Sequence, residues 1–179
     1  MSGYCLSAPG HPAHGPYHEF EYGFPQREEA VLFERLVLEI NQAGLAWLTV
    51  LRKRAGLRRA YAGFAVEAVA GFGAAERARL LGDAGIIRNR RKIEAAIHNA
   101  GVLLALRDSH GGFAGWLDAQ HPASLADWVR AFRRRFVFVG PEIVNEFLLS
   151  LGYLPGAHRP DCPVYARTLA ASPPWRHCQ

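Results

Sequence analysis

Of the 179 residues in this chain, only the stretch RRRFVFVGP, Arg133 to Pro141, alternates in the way a β-strand does. A strand needs a neighbour to take up its backbone N–H and C=O groups, and no second segment is present to act as that neighbour. The remaining regular apolar patterns repeat at helical spacing, so the chain is expected to be all-α. From Glu28 onward, Phe33, Leu36, Val37 and Ile40 follow the i, i+3, i+4, i+7 rule and form one apolar stripe with Glu39 beside it. Leu45 to Leu57 reads as a second short helix, and Val66 to Leu81 as two pieces broken at Gly71 and Gly73. Lys92 to Arg107 reads as a long helix with Ile93, Ile97, Ala100 and Leu104 inward, ended by the Asp108 to Gly112 stretch. Leu125 to Arg134 turns Trp128, Val129 and Phe132 to the core, and Pro141 to Leu151 opens on a proline in its first turn. The RRRFVFVGP connection is then the hairpin of a helix-hairpin-helix unit. In it Gly140 lets backbone amides approach a phosphate, and the next helix N-terminus adds partial positive charge.

Residues 1–26 and 153–179 are rich in proline and polar rings and lack periodicity, so they read as irregular arms of a single domain, 1–179, with two helical lobes. A content of 50% hydrophobic and 21% charged residues suits one sizeable core. The longest apolar run, Ala100 to Leu106, falls far short of the roughly 20 residues of a membrane span. The N-terminus has neither the basic start nor the apolar segment of a secretory signal, so a cytoplasmic protein is expected, with nothing demanding more than a monomer. The formal charge of +5 is modest, but thirteen of the 21 Lys and Arg fall in four clusters: Arg52 to Arg54, Arg58 and Arg59, Arg88 to Lys92, and Arg130 to Arg135. Such clusters suit phosphate contacts, and solvated helix faces are the plainer alternative.

Three cysteines, Cys5, Cys162 and Cys178, are an odd number for a disulfide framework. Twelve residues separate Cys5 from His18 and three separate His158 from Cys162, and together these make a Cys2His2 set suited to a tetrahedral zinc ion. His11, His14, His177 and Cys178 compete for that role. With four protein ligands the ion would be structural, clipping together two arms that hydrophobic burial cannot hold.

In LEINQAGLAW, Glu39 and Trp47 stand eight residues apart, joined by the end of a helix and Gly44. If His18 binds metal, Tyr17 is carried toward the core. Tyr17 and Trp47 would then sandwich a planar ligand while Glu39 accepts its hydrogen bonds, and a carboxylate so enclosed favours a cationic base. The alternative is a helix-end glutamate paired with an arginine, and a core tryptophan. Asp83 in GDAGIIRNRRKI is a candidate acid, with capping or turn formation the plainer reading. The phosphate-loop, dinucleotide, esterase and zinc-protease motifs are absent.

Tyr17-His18 followed by Glu21 and Gly23, then LEINQAGLAWLTVLRKR, DAGIIRNRRKI and RFVFVGPEI, occur in the order and spacing of one family. From Cys5 to about Cys162 the chain resembles the bacterial 3-methyladenine DNA glycosylase I (Tag) family. The resemblance implies an all-helical fold of the helix-hairpin-helix DNA glycosylase superfamily. It implies structural zinc on Cys5, His18, His158 and Cys162, and a base pocket of Tyr17, Glu39 and Trp47, with Glu39 the catalytic candidate. The implied substrate is double-stranded DNA carrying alkylated adenine, hydrolysed at the N-glycosidic bond to leave an abasic site. The lesion would be flipped out, with Leu45 filling the gap and Arg88, Arg90, Arg91 and the Gly140 hairpin holding the backbone. As in that family, no aspartate follows the hairpin within the Pro141 to Leu151 helix. The chain departs from the family pattern at Leu6-Ser7, Tyr22, Ile40 and Ala46, which bears on pocket width. A glycosylase for a bulkier lesion and a non-catalytic helix-hairpin-helix DNA binder are the alternatives.

Overall fold

A computed structural model describes residues 3–177, and these contain helices and turns but no strand. The helices are α1 (Tyr4–Ser7), α2 (His14–Phe20), α3 (Glu29–Gln42), α4 (Trp47–Ala60), α5 (Val66–Ala70), α6 (Ala74–Gly82), α7 (Arg90–His110), α8 (Phe113–Gln120), α9 (Leu125–Arg133), α10 (Pro141–Ser150) and α11 (Pro163–Ala170). Short 3-10 turns cover Ala62–Phe64 and Pro174–His177. Two compact units result, one of residues 27–144 and one of 1–26 with 145–179. Among the described residues no helix is long and apolar enough to cross a membrane.

The 27–144 unit is built on α3 and α7. Leu32, Phe33, Leu36, Val37 and Ile40 of α3 are all buried, as the helical stripe predicts. α7 starts where the Asn89 side chain accepts the Lys92 N–H at 3.2 Å. It ends where Gly111, at φ 70°, donates its N–H to the Arg107 carbonyl and Gly112 donates to the Leu106 carbonyl, both at 3.1 Å. A second core layer is aromatic: Trp116 meets Phe132 edge-on at 5.0 Å and Phe136 at 5.4 Å between ring centroids. α4 begins at Trp47 rather than Leu45, because Gly44 takes a left-handed φ of 78° and Ala46 is extended.

The alternating stretch is a turn-rich connection between α9 and α10, with Phe136 and Val139 buried and Val137 exposed. The hydrogen bonds a neighbouring strand would have made come instead from one side chain of α7. Buried Asn99 accepts the Val137 N–H at 2.9 Å and donates its amide to the Val137 carbonyl at 3.1 Å.

The DAGII segment packs on α4. Lys53 Nζ donates to the Ala84 carbonyl at 2.6 Å, and the Asp83 carboxylate accepts the Gly85 N–H at 2.7 Å, the turn role expected of it. Gly56 is the contact point: a Cβ added there would stand 2.2 Å from the Gly85 carbonyl oxygen. Gly56→Ala should therefore destabilise the unit by about 1–3 kcal/mol through overpacking, read as a lowered Tm in thermal melts. An unchanged melt would mean that the loop can retreat at no cost.

The arms expected to be irregular carry helices. α2 and α11 are short and contain or open on proline, and their buried residues include Tyr17, His18 and Thr168 rather than an aliphatic stripe. In this unit Gly23 N–H donates to the Ser150 carbonyl at 2.8 Å and Trp175 N–H to the Gly152 carbonyl at 3.1 Å. Those bonds tie the N- and C-terminal segments to the end of α10.

Candidate functional site

The terminal segments meet most closely around four side chains. Cys5 from α1, His18 from α2, and His158 and Cys162 ahead of α11 are all buried, and their donor atoms lie within 4.8 Å of one another. Sγ of Cys5 and of Cys162 each stand 3.7 Å from Nδ1 of His158, and Cys162 Sγ stands 3.6 Å from Nε2 of His18. A tetrahedral ion with bonds of about 2.0–2.3 Å sets its ligands roughly 3.6 Å apart, so the cluster has the dimensions of a metal cage.

Histidine protonation agrees with that reading. The Tyr22 carbonyl can only accept, so the 2.7 Å contact fixes the proton on Nε2 of His158 and leaves the Nδ1 lone pair facing the sulfurs. Burial pushes the His18 and His158 imidazoles down, toward the neutral form that ligates a metal, and pushes the Cys5 thiol up, away from the thiolate that would. Nδ1 of His18, facing away from Cys162, is buried without a hydrogen-bond partner. The competing histidines are otherwise occupied or exposed. His11 Nδ1 accepts the N–H groups of Ala13 and His14, both at 3.1 Å, His14 Nδ1 lies 3.3 Å from the Tyr4 hydroxyl, and His177 is exposed. Cys178 lies outside the described residues.

Tyr17 belongs to the same unit. It is buried beside Tyr22, with ring centroids 5.8 Å apart, and Tyr22 donates its hydroxyl proton to Glu146 at 3.0 Å. Tyr22, a departure from the family pattern, thus packs against Tyr17. Of the other departures, Ile40 is fully buried, Leu6 is exposed and Ala46 is exposed.

Glu39 and Trp47 belong to the 27–144 unit. Glu39 is buried on the last turn of α3 at 5% exposure, and Trp47 is half-buried as the first residue of α4. Between them the chain leaves the helix at Ala43 and passes through left-handed Gly44. It then presents Leu45 to solvent, with the Leu45 N–H donated to the Gln42 carbonyl at 2.8 Å.

The basic clusters separate by environment. Arg54 and Arg58 converge on buried Glu34 at 2.8 and 2.6 Å. Burial pushes the Glu34 carboxyl up, yet the two arginines outweigh it and hold it below the usual range. Arg130 pairs with Asp127. Arg88, Arg90 and Arg91 are exposed, and the Arg91 guanidinium lies 5.7 Å over the Phe138 ring. Arg77, Arg90, Arg91, His98 and Phe138 line an open groove of about 700 Å³. A second groove of about 490 Å³ is lined by Arg91, Arg133, Phe138 and Gly140. Lys92, by contrast, is turned inward. A run of like charges carries no sign of which member faces the core; the helix phase does, since Lys92 shares a face with Ala96, Asn99 and Leu103.

Residues 7–127 match the family model described as Methyladenine glycosylase. The DNA-3-methyladenine glycosylase of Haemophilus influenzae is 32% identical over 166 residues, 82% of this chain and 89% of that protein. DNA-3-methyladenine glycosylase 1 of Escherichia coli is 34% identical over 160 residues, 79% of this chain and 86% of that protein. A solved structure of 3-methyladenine DNA glycosylase I (TAG) from Staphylococcus aureus superposes with a TM-score of 0.82 at 28% identity, covering 90% of this chain and 96% of that one. A further crystal structure of 3-methyladenine DNA glycosylase I (TAG) gives a TM-score of 0.79 at 31% identity, covering 88% and 97%. The chain belongs to the methyladenine glycosylase family.

Proposed function

We propose that this chain excises alkylated adenine, 3-methyladenine or a related adduct, from double-stranded DNA. Water adds its oxygen to the sugar C1′ and gives up a proton. The bond from C1′ to the base nitrogen breaks, and the cationic base leaves neutral with the bonding pair. An abasic site remains. The observation that carries this reading is a carboxylate, Glu39, buried at a helix end six residues before an exposed leucine and eight before a half-buried tryptophan, in a chain of this family. A cationic adduct is already a good leaving group, so the protein needs chiefly to select, orient and desolvate it.

In this scheme Glu39 accepts hydrogen bonds from the base edge, and Tyr17 and Trp47 stack on its faces. Leu45 fills the space left in the duplex. Residues 125–150 act as a helix-hairpin-helix unit, in which Gly140 brings backbone amides to a phosphate, and Arg88, Arg90 and Arg91 hold the strand. Cys5, His18, His158 and Cys162 hold zinc. With all four positions taken by protein, the ion supplies a cross-link and no activated water.

Mass spectrometry of bases released from DNA treated with small and with bulky alkylating agents tests the reading. Release of 3-methyladenine is expected, and the bulky adducts measure the size of base that the chain accepts. DNA binding with no base released from either substrate would make the chain a non-catalytic DNA-binding module.

A further inference from the structure

Lys92 is the feature that the scheme above leaves without a role. Its side chain is buried, at 5% exposure, in the first turn of α7, and it forms no ion pair among the described residues. Burial pulls its ammonium below the usual lysine range. The first turn of a helix is also the end where the backbone dipole disfavours a cation. An apolar residue here would avoid both costs but would leave without a donor the carbonyls that the ammonium reaches.

What Lys92 touches is the turn between Glu39 and Trp47. Nζ donates to the Asn41 carbonyl and to the Ala43 carbonyl, both at 2.7 Å. The carbonyl between them, Gln42, accepts the Leu45 N–H at 2.8 Å. These are among the last carbonyls of α3, which a helix end leaves without intrahelical partners. The lysine is itself fixed, since its backbone N–H is held by the Asn89 side chain at 3.2 Å. Past Ala43 the chain bends through Gly44 at φ 78° and exposes Leu45.

We propose that Lys92 is a positioning residue for base excision, its ammonium clamping the 41–45 turn so that Leu45 and Trp47 keep fixed places relative to Glu39. The role rests on the excision reaction proposed above. The lysine touches no substrate and acts through the turn. One point charge with several donors suits the task, because two carbonyls two residues apart converge on a single nitrogen.

Lys92→Met keeps the aliphatic stem and removes the donors, and Lys92→Arg keeps the charge but spreads the donors over a wider head group. Each is compared with the unaltered chain for single-turnover release of 3-methyladenine at saturating enzyme and for affinity toward undamaged duplex. Insertion of Leu45 is read from the fluorescence of 2-aminopurine placed beside an abasic site. The expected order of rate is Lys, then Arg, then Met. The methionine variant should be slower by about tenfold or more, with its 2-aminopurine signal lost and its affinity for undamaged DNA within about twofold. Should the methionine variant fail to fold, the arginine variant decides alone. A folded variant of either kind with the full rate and full 2-aminopurine signal overturns the proposal while leaving the excision reaction standing. Absence of base release from the unaltered chain overturns both.

Discussion

Glu39→Gln is expected to abolish most release of 3-methyladenine from methylated DNA while leaving affinity for undamaged duplex unchanged. The substitution preserves shape, so packing at the end of α3 is retained. What changes is chemistry: a carboxylate accepts with both oxygens and carries a charge, whereas an amide accepts with one atom and donates with the other. Glu39 is 5% exposed, so water cannot replace what a cationic base loses there. A hydrogen bond to a charged group contributes about 1.5–3 kcal/mol, so the single-turnover rate should fall roughly ten- to a hundredfold. Release at the unaltered rate would take Glu39 out of the mechanism.

Cys162→Ser should empty the proposed zinc site and lower the melting temperature. Its sulfur lies 3.6 Å from Nε2 of His18 and 3.7 Å from Nδ1 of His158, so its loss removes one ligand and opens the cage to water. Cys5 and Cys162 are themselves part of a small apolar cluster with Val164, against which Phe24 and Tyr165 pack. Structural zinc contributes about 10–16 kcal/mol in small zinc domains. Losing even about 3 kcal/mol, at roughly 2–4 °C per kcal/mol for a chain of this size, lowers Tm by on the order of 10 °C. Elemental analysis should give about one zinc per unaltered chain and none in the variant. Full zinc content or an unchanged melt in Cys162→Ser would exclude the assignment.

Helices that bury an aliphatic stripe were legible in the sequence. α3, α7 and α9 carry their burial at i, i+3, i+4 spacing, and each lies within a few residues of the segment its pattern marks. α2 was not, because a seven-residue helix with a proline inside, whose buried residues are Gly15, Tyr17 and His18, has too few turns to show a period. α8 escaped for a related reason: Phe113, Trp116 and Leu117 span barely one turn. The four metal donors could be proposed from residue type and placement. Their convergence depends on a backbone path through Gly23 and Ser150 that no spacing rule encodes. Lys92 and Asn99 were hidden differently. Polar residues on a core-facing stripe resemble interruptions of the pattern until the backbone groups they satisfy are seen.

Lys92 and Asn99 stand seven residues apart on α7, two turns or about 10.5 Å along its axis and nearly in line. One holds the turn that exposes Leu45 and the other holds Val137 in the connection leading to Gly140. α7 is therefore a ruler, on which the separation of two loops is written as a number of residues. Adding or deleting one residue between the two marks would swing one of them about 100° around the helix and undo both at once. In this segment an outward position such as exposed His98 is open to substitution, while the residue count is not.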